Sequence, residues 1–427
     1  LLTMGLISQE FSRGSIKLLF VAPITSRHIV LGKFLGMMMY GLLMFSVLLV
    51  YVILGGCWIE SFDWAAVLTG LLGLYLLFGT YAAIGLFMST LTTYPIVAAI
   101  YMLALLTFLR FVSGLWQEYT FVRDITYWLA LDRRAGTFIN GMICSEDFLY
   151  FVIMTAMFLG FAILKLQFIR ERRSMLSKVG RFLGVFIVAM LLGYVTSRPM
   201  LRLYHDSTHT KTNTLTEASQ EIVSKLDGGL KMTTYVNLFG SIYNITPAKV
   251  MADIARYNSY IRFKPETKMD YVFYYYTDTT DGFFAHRFAG KTLSEAAKEM
   301  AKFQGVNAKK YVPLSKVDPD VDLRDEGYRF VVLLERENGE KTFLRVFNDA
   351  QRVPFETEIS AALKRIGMKL PSVGFLSDHY ARTITGDRNR DYSYMVSEKL
   401  YRSALINQGF DVADVKLSRN PQLLDSL

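Results

Sequence analysis

The chain has 427 residues, 52% of them hydrophobic and 20% charged, with a formal net charge of +9 and two cysteines. That mixture excludes both an all-membrane chain and an ordinary soluble domain, so apolar and polar regions are to be sought separately. Two cysteines also exclude a disulfide-stapled scaffold and cannot form a zinc site alone.

In chain order, hydrophobic runs lie at 34–54, 64–89, 95–115, 148–168 and 182–197, the last extending towards Leu201. Most reach the ~20 residues that ~30 Å of hydrocarbon requires. Residues 1–8 read as the end of a further span, giving about five full spans plus a partial one. The chain opens on Leu1-Leu2 inside this apolar stretch, without the basic head or small-residue cleavage site of a signal peptide. It therefore reads as an internal fragment with both termini missing.

Charge placement sets the expected topology. Segments 9–33 and 165–181 hold ten basic and two acidic residues, whereas 55–63 and 116–147 hold three basic and seven acidic ones. The first pair is expected in the cytoplasm, the second outside, and everything after Arg198 outside. The basic charge is thus a topology signal and gives no reason to invoke nucleic acid. In segment 9–33, Ile16, Leu18, Leu19, Phe20, Val21 and Ile24 are interleaved with Arg13, Lys17 and Arg27. This suits a short surface helix broken by Pro23, followed by entry into the bilayer.

Within the spans, Gly70, Gly73, Gly79, Ala82, Ala83 and Gly85 mark a helix-packing face. Arg110 lies near an outer span end, within snorkelling reach of the interface. Cys57 and Cys144 read as small buried apolar residues at span ends rather than as a disulfide. The aromatic residues of 116–147, among them Trp116, Tyr119, Tyr127 and Trp128, suit an interfacial belt. Lys165, Arg170, Arg172, Arg173, Lys178 and Arg181 fix topology and suit contact with anionic headgroups.

Beyond Arg198 helical and strand patterns alternate. Thr214–Glu217 and Thr292–Glu295 read as capping boxes and Pro247 as a first helical residue, while Gly305, Gly367 and Gly409 sit at helix stops. Strands are predicted at 230–238, 269–276, 328–334, 342–347, 372–376 and 411–417, giving an α/β domain with a largely parallel or mixed sheet.

Two resemblances follow from residue order. Glu10, Arg13, Gly14, Leu18-Leu19, Ala22-Pro23-Ile24 and Ile29-Val30-Leu31-Gly32-Lys33 resemble the cytoplasmic loop of type-two ABC transporter permeases. The resemblance implies a coupling helix that docks on a separate ATPase subunit, a second permease copy, and short amphipathic helices between the last two spans. It also makes Glu10, Arg13, Gly14, Leu18, Leu19, Pro23 and Ile24 the coupling residues, with Lys33 anchoring the span at the interface. Asn213–Ser219, Leu230–Asn237, Phe355–Arg365 and Pro371–His379 resemble the gliding-motility-associated GldG-type auxiliary domain of ABC transporters. Together the two halves resemble a GldF/GldG-type fusion. The implied organisation is a permease-like domain over 1–168, a basic cytoplasmic linker over 169–181, an anchor span over 182–201 and an extracytoplasmic α/β domain over 202–427. The implied location is the bacterial inner membrane, with the α/β domain on the periplasmic side and envelope or motility proteins as further partners.

No Gly-x-x-x-x-Gly-Lys-Ser/Thr loop occurs, so ATP hydrolysis is expected in a partner. No catalytic constellation and no cofactor is expected. Asp378 and His379, at a predicted strand end, are candidate ligand-binding residues, with a structural turn as the plainer reading. His205 and His209 could share a helical face, but the surrounding Ser and Thr mark a polar linker. Tyr271–Tyr276 reads as a half-buried strand, and Asp318, Asp320, Asp322 and Asp325 lack the Gly and terminal Glu of an EF-hand. The functional expectation is an ABC exporter permease whose outer domain gates, binds cargo or recruits partners; the alternative is a non-transporting envelope scaffold.

Overall fold

A computed structural model describes residues 2–112, 122, 125, 126, 128, 129, 131–171, 174–198, 201–280, 282–377, 382–386 and 391–415, without the side chains of 132, 133 and 283. The chain divides into two compact units, Leu1–Thr214 and Leu215–Leu427.

In the first unit, residues 2–7, where the end of a partial span was expected, form successive turns leading into α1 (Ser8–Ser12) and α2 (Ile16–Val21). Among the described residues, five helices long and apolar enough to cross a membrane follow: α3 (Ser26–Trp58), α4 (Trp64–Leu91), α5 (Pro95–Val112), α7 (Ser145–Arg170) and α8 (Met175–Thr196), with the short α6 (Leu131–Ile139) before α7. Polar side chains cap three of them where the apolar runs begin. Thr25 caps α3 and Asp63 Oδ1 accepts from the Ala66 amide of α4 at 3.1 Å, while Pro95 opens α5 at a position that needs no amide donor.

Helices α4 and α7 form the centre, whereas α3 and α8 leave most of their apolar surface uncovered, as lipid-facing helices do. The small residues of α4 admit close neighbours: a Cβ on Gly73 would come within 2.2 Å of the Phe138 Cβ. Phe138 belongs to α6, which is amphipathic, with Leu131, Arg134, Ala135 and Phe138 buried. Arg134 Nη1 reaches Glu146 Oε1 at 2.7 Å and Asp147 Oδ1 at 2.6 Å, and Arg202 Nε lies 2.9 Å from Glu146 Oε2. Two guanidinium and two carboxylate groups thereby neutralise each other where lone charges would be costly.

The first unit also includes a two-stranded antiparallel ribbon, β1 (Met142–Cys144) on β2 (Tyr204–Asp206). His205 therefore lies in a strand and His209 in a turn, which corrects the shared helical face considered from their spacing. Asp206 accepts from the Thr208 and Asn213 amides at 3.0 and 2.8 Å and competes with helix formation there. No disulfide joins the cysteines; Cys144 is buried, but Cys57 is exposed, against expectation.

In the second unit a five-stranded mixed sheet has the order β5 (Val312–Pro313), β4 (Lys268–Tyr275), β3 (Leu230–Asn237), β6 (Val331–Arg336), β7 (Lys341–Arg345). The β3–β4 and β4–β5 pairs are parallel, and β3–β6 and β6–β7 antiparallel. Both faces are covered: Met232, Val236, Val332 and Leu334 join one core and Tyr235, Tyr274, Val331 and Leu333 another. The first core includes residues of α9 (Glu217–Ser224) and α11 (Glu356–Gly367); α10 (Leu293–Phe303) contributes Ala296, Ala297, Met300 and Ala301 to a third cluster. A separate parallel pair joins β8 (Ser372–Leu376) to β9 (Asp411–Val415). Thr292 and Glu295 form the predicted capping box, but α9 is capped by Thr216, not Thr214, because Thr216 Oγ1 receives the Ser219 amide.

Candidate functional site

The residues singled out in 9–33 form a continuous structure. The buried Ser89 of α4 accepts from the Ile7 and Ser8 amides at 2.9 and 2.8 Å and donates to the Met4 carbonyl at 3.0 Å. One hydroxyl thus satisfies two of the open donors at the start of α1. Gly14 ends α1 at φ +73°, a conformation costly for residues with a Cβ, and the Gly14 amide donates to the Phe11 carbonyl at 3.2 Å. Ala22, the residue before Pro23, is extended, so α2 stops there.

Helix α2 has two faces. Ile16 is buried, and Leu19, Phe20 and Ile24 pack on the membrane core. Leu18 and Val21 are 75% and 86% exposed, alongside exposed Arg13, Lys17 and Pro23. The spacing 16, 19, 20 is what a helix lying on a core requires, and it directs 18 and 21 away.

Charge fixes both ends of the segment. Lys33 Nζ meets Glu10 Oε1 at 3.2 Å, and Ser15 Oγ donates to Glu10 Oε2. The Ser15 hydrogen bond, and then Lys33 against the opposing effect of burial, hold the Glu10 carboxyl below its usual range. Lys33, read from sequence as an interfacial anchor, is thus the ionic partner of Glu10. The two residues border an open recess of about 520 Å³ that Gln9, Arg13 and Ser15 also line.

At the other end, Arg170 of α7 donates to the Phe20 carbonyl at 2.7 Å and the Ile24 carbonyl at 3.1 Å, and lies 5.1 Å from the centroid of the Phe20 ring. The Phe20 carbonyl belongs to the last turn of α2, where acceptors are open and the helix dipole favours a cation. From sequence, Arg170 is one of a basic run suited to fixing topology and meeting anionic headgroups; its position at the end of a span, 150 residues from Phe20, carries no signal of this contact.

The structure brings Glu10 and Lys33 together and sets Leu18 apart from Leu19 and Ile24 on opposite faces of the segment. Asp378 and His379 lie outside the described residues. Among the described residues no group of three or more His, Cys, Asp or Glu could hold a metal ion. In the acidic loop, Asp318 and Asp322 instead cap the Asp320 and Arg324 amides.

Residues 1–121, which contain α1 to α5, match the family model described as ABC-2 family transporter protein. The match supports reading the membrane region as an ABC transporter permease. No curated protein and no solved structure matches the chain.

Proposed function

We propose that the chain is the permease component of an ABC exporter, driven by a separate ATPase subunit that docks on α2, and that it works with a second permease copy. The observation that carries this reading is the two-faced α2: Leu18 and Val21 present apolar surface on a segment whose other face is packed and whose ends are held by Glu10–Lys33 and Arg170. A solvated topological loop would not need such fastening. A docking site does, because force delivered to it must reach the spans instead of being lost in loop motion.

In this reading the segment faces the cytoplasm of a bacterial inner membrane and the second unit lies in the periplasm, as the charge asymmetry supports. The second unit acts as a GldG-type auxiliary domain for gating, cargo or envelope partners, including those of gliding motility. Its support is the residue order of 213–219, 230–237, 355–365 and 371–379 together with the mixed α/β fold.

The test is co-purification of the full chain with ABC ATPase subunits of its source cells, wild type against Leu18→Asp. Leu18 is exposed, so the substitution should leave folding and insertion intact. Placing a charge in the docked apolar contact should weaken association at least ~30-fold. Undiminished association would refute docking through α2. Failure of the wild type to bring down any ATPase would favour the envelope scaffold.

A further inference from the structure

The second unit contains a crevice that its resemblance and fold leave unassigned. It opens at the carboxyl ends of the parallel strands β3 and β4, where α/β sheets leave a gap between diverging connections. Its volume of about 680 Å³ lies within the ~300–1,000 Å³ of small-ligand pockets. Three walls come from the segments after β3, after β4 and before β6, and a fourth from Met300 and Gln304 at the end of α10.

The crevice is built around Asn237, which is buried. Its amide nitrogen donates to the Tyr276 and Tyr328 carbonyls at 2.8 and 2.9 Å, and its oxygen accepts from the Tyr276 and Phe239 amides at 3.1 and 3.2 Å. One side chain therefore locks three of the walls, using its full hydrogen-bonding capacity. The Tyr276 and Tyr328 rings meet at 4.0 Å between centroids. Tyr328 has φ +51°, directly after Gly327 at +62°. A bulky residue pays for that backbone, and such strain persists where the surroundings impose it, often at binding sites.

The polar groups on the rim define the ligand. Asp278 uses Oδ1 to receive Thr280, which leaves Oδ2 unengaged among the described residues. Gln304 donates Nε2 to the Leu238 carbonyl, leaving its amide oxygen. Arg329 commits Nε to the Glu326 carbonyl and retains its terminal nitrogens. The end of α10 adds the partial negative charge of a helix carboxyl terminus, the opposite of what a phosphate requires. A ligand rich in hydroxyl donors, with an apolar ring face for the tyrosines and no strong negative charge, meets all of these conditions.

We infer that this crevice, formed by Tyr276, Tyr328, Asp278, Gln304 and Arg329 around Asn237, binds a neutral saccharide. The inference concerns the second unit and does not depend on ATPase docking.

The experiment uses the full chain in lipid nanodiscs, avoiding sugar-headed detergents, on an array of neutral and anionic glycans with nucleotides as controls. Binding to one or more neutral glycans is expected. Asp278→Ala and Gln304→Ala, both at exposed positions, should each weaken it about tenfold. Tyr328→Gly, which removes the ring and accepts the positive φ, should abolish binding while the chain stays folded, since glycine's ease at that backbone offsets part of the packing the ring makes on its core cluster. A wild type that binds no neutral glycan, that prefers nucleotides, or whose binding survives both rim substitutions would overturn the assignment.

Discussion

Arg170 shows how one side chain can connect two functions. Its guanidinium chelates two carbonyls of the α2 segment while its backbone ends α7. A lysine offers one compact ammonium in place of that fork. If α2 receives the ATPase, Arg170 passes its displacement to α7. Arg170→Ala should therefore leave ATPase association within about twofold, because the docking face at Leu18 and Val21 is untouched, yet reduce transport-coupled hydrolysis about tenfold. Arg170→Lys should recover part of the loss. Hydrolysis and co-purification measured on the same preparations separate the two effects, and full coupling in Arg170→Ala would remove this residue from the pathway. Such a residue is hard to read from sequence, because a basic run after a span already has a sufficient explanation in topology.

Elements were more legible than contacts. The predicted strand at 372–376 matches β8 residue for residue, 230–238 overruns β3 by one residue, and 269–276 is displaced from β4 by one residue at each end. Their β-branched and aromatic content is local information. The crevice was not legible, because Asn237, Tyr276 and Tyr328 converge only through the pairing of β3 with parallel β4 on one side and antiparallel β6 on the other. The cap of α9 was misplaced by two residues because Thr214 and Thr216 offer the same hydroxyl; the helix register decides between them.

A second element-scale contact is the buried Glu326, which takes both Arg345 forks of β7 at 2.8 Å and Lys399 at 3.1 Å. Burial alone would raise its pKa, but hydrogen bonds and charge from Arg345 and Lys399 outweigh it and the value is lowered. A depressed folded-state pKa means that the stabilisation is complete above the ordinary glutamate value and is lost as pH falls through the folded one. Hydrogen exchange in β7 of the full chain should accelerate across that acid range. Glu326→Gln should open β7 more readily at neutral pH, by about 1–3 kcal/mol, with a flatter acid dependence. Parallel pH profiles for the two proteins would contradict the role given to Glu326.

At the scale of the molecule, composition already required two regimes, and the structure divides them into two units with the boundary at Thr214. The sequence reading began the outer domain at 202. Strand β2 at 204–206 pairs with β1 within the first unit, a long-range contact that a three-residue strand cannot announce. The five spans were legible because ~20 apolar residues leave few alternatives. The central claim is that α2 receives an ATPase. A photo-crosslinking amino acid placed at Val21, which is 86% exposed, and separately at Leu191, exposed on the lipid-facing α8, tests it in whole cells. The account predicts an ATPase adduct from position 21 and none from 191; no adduct from 21, or equal adducts from both, would contradict it.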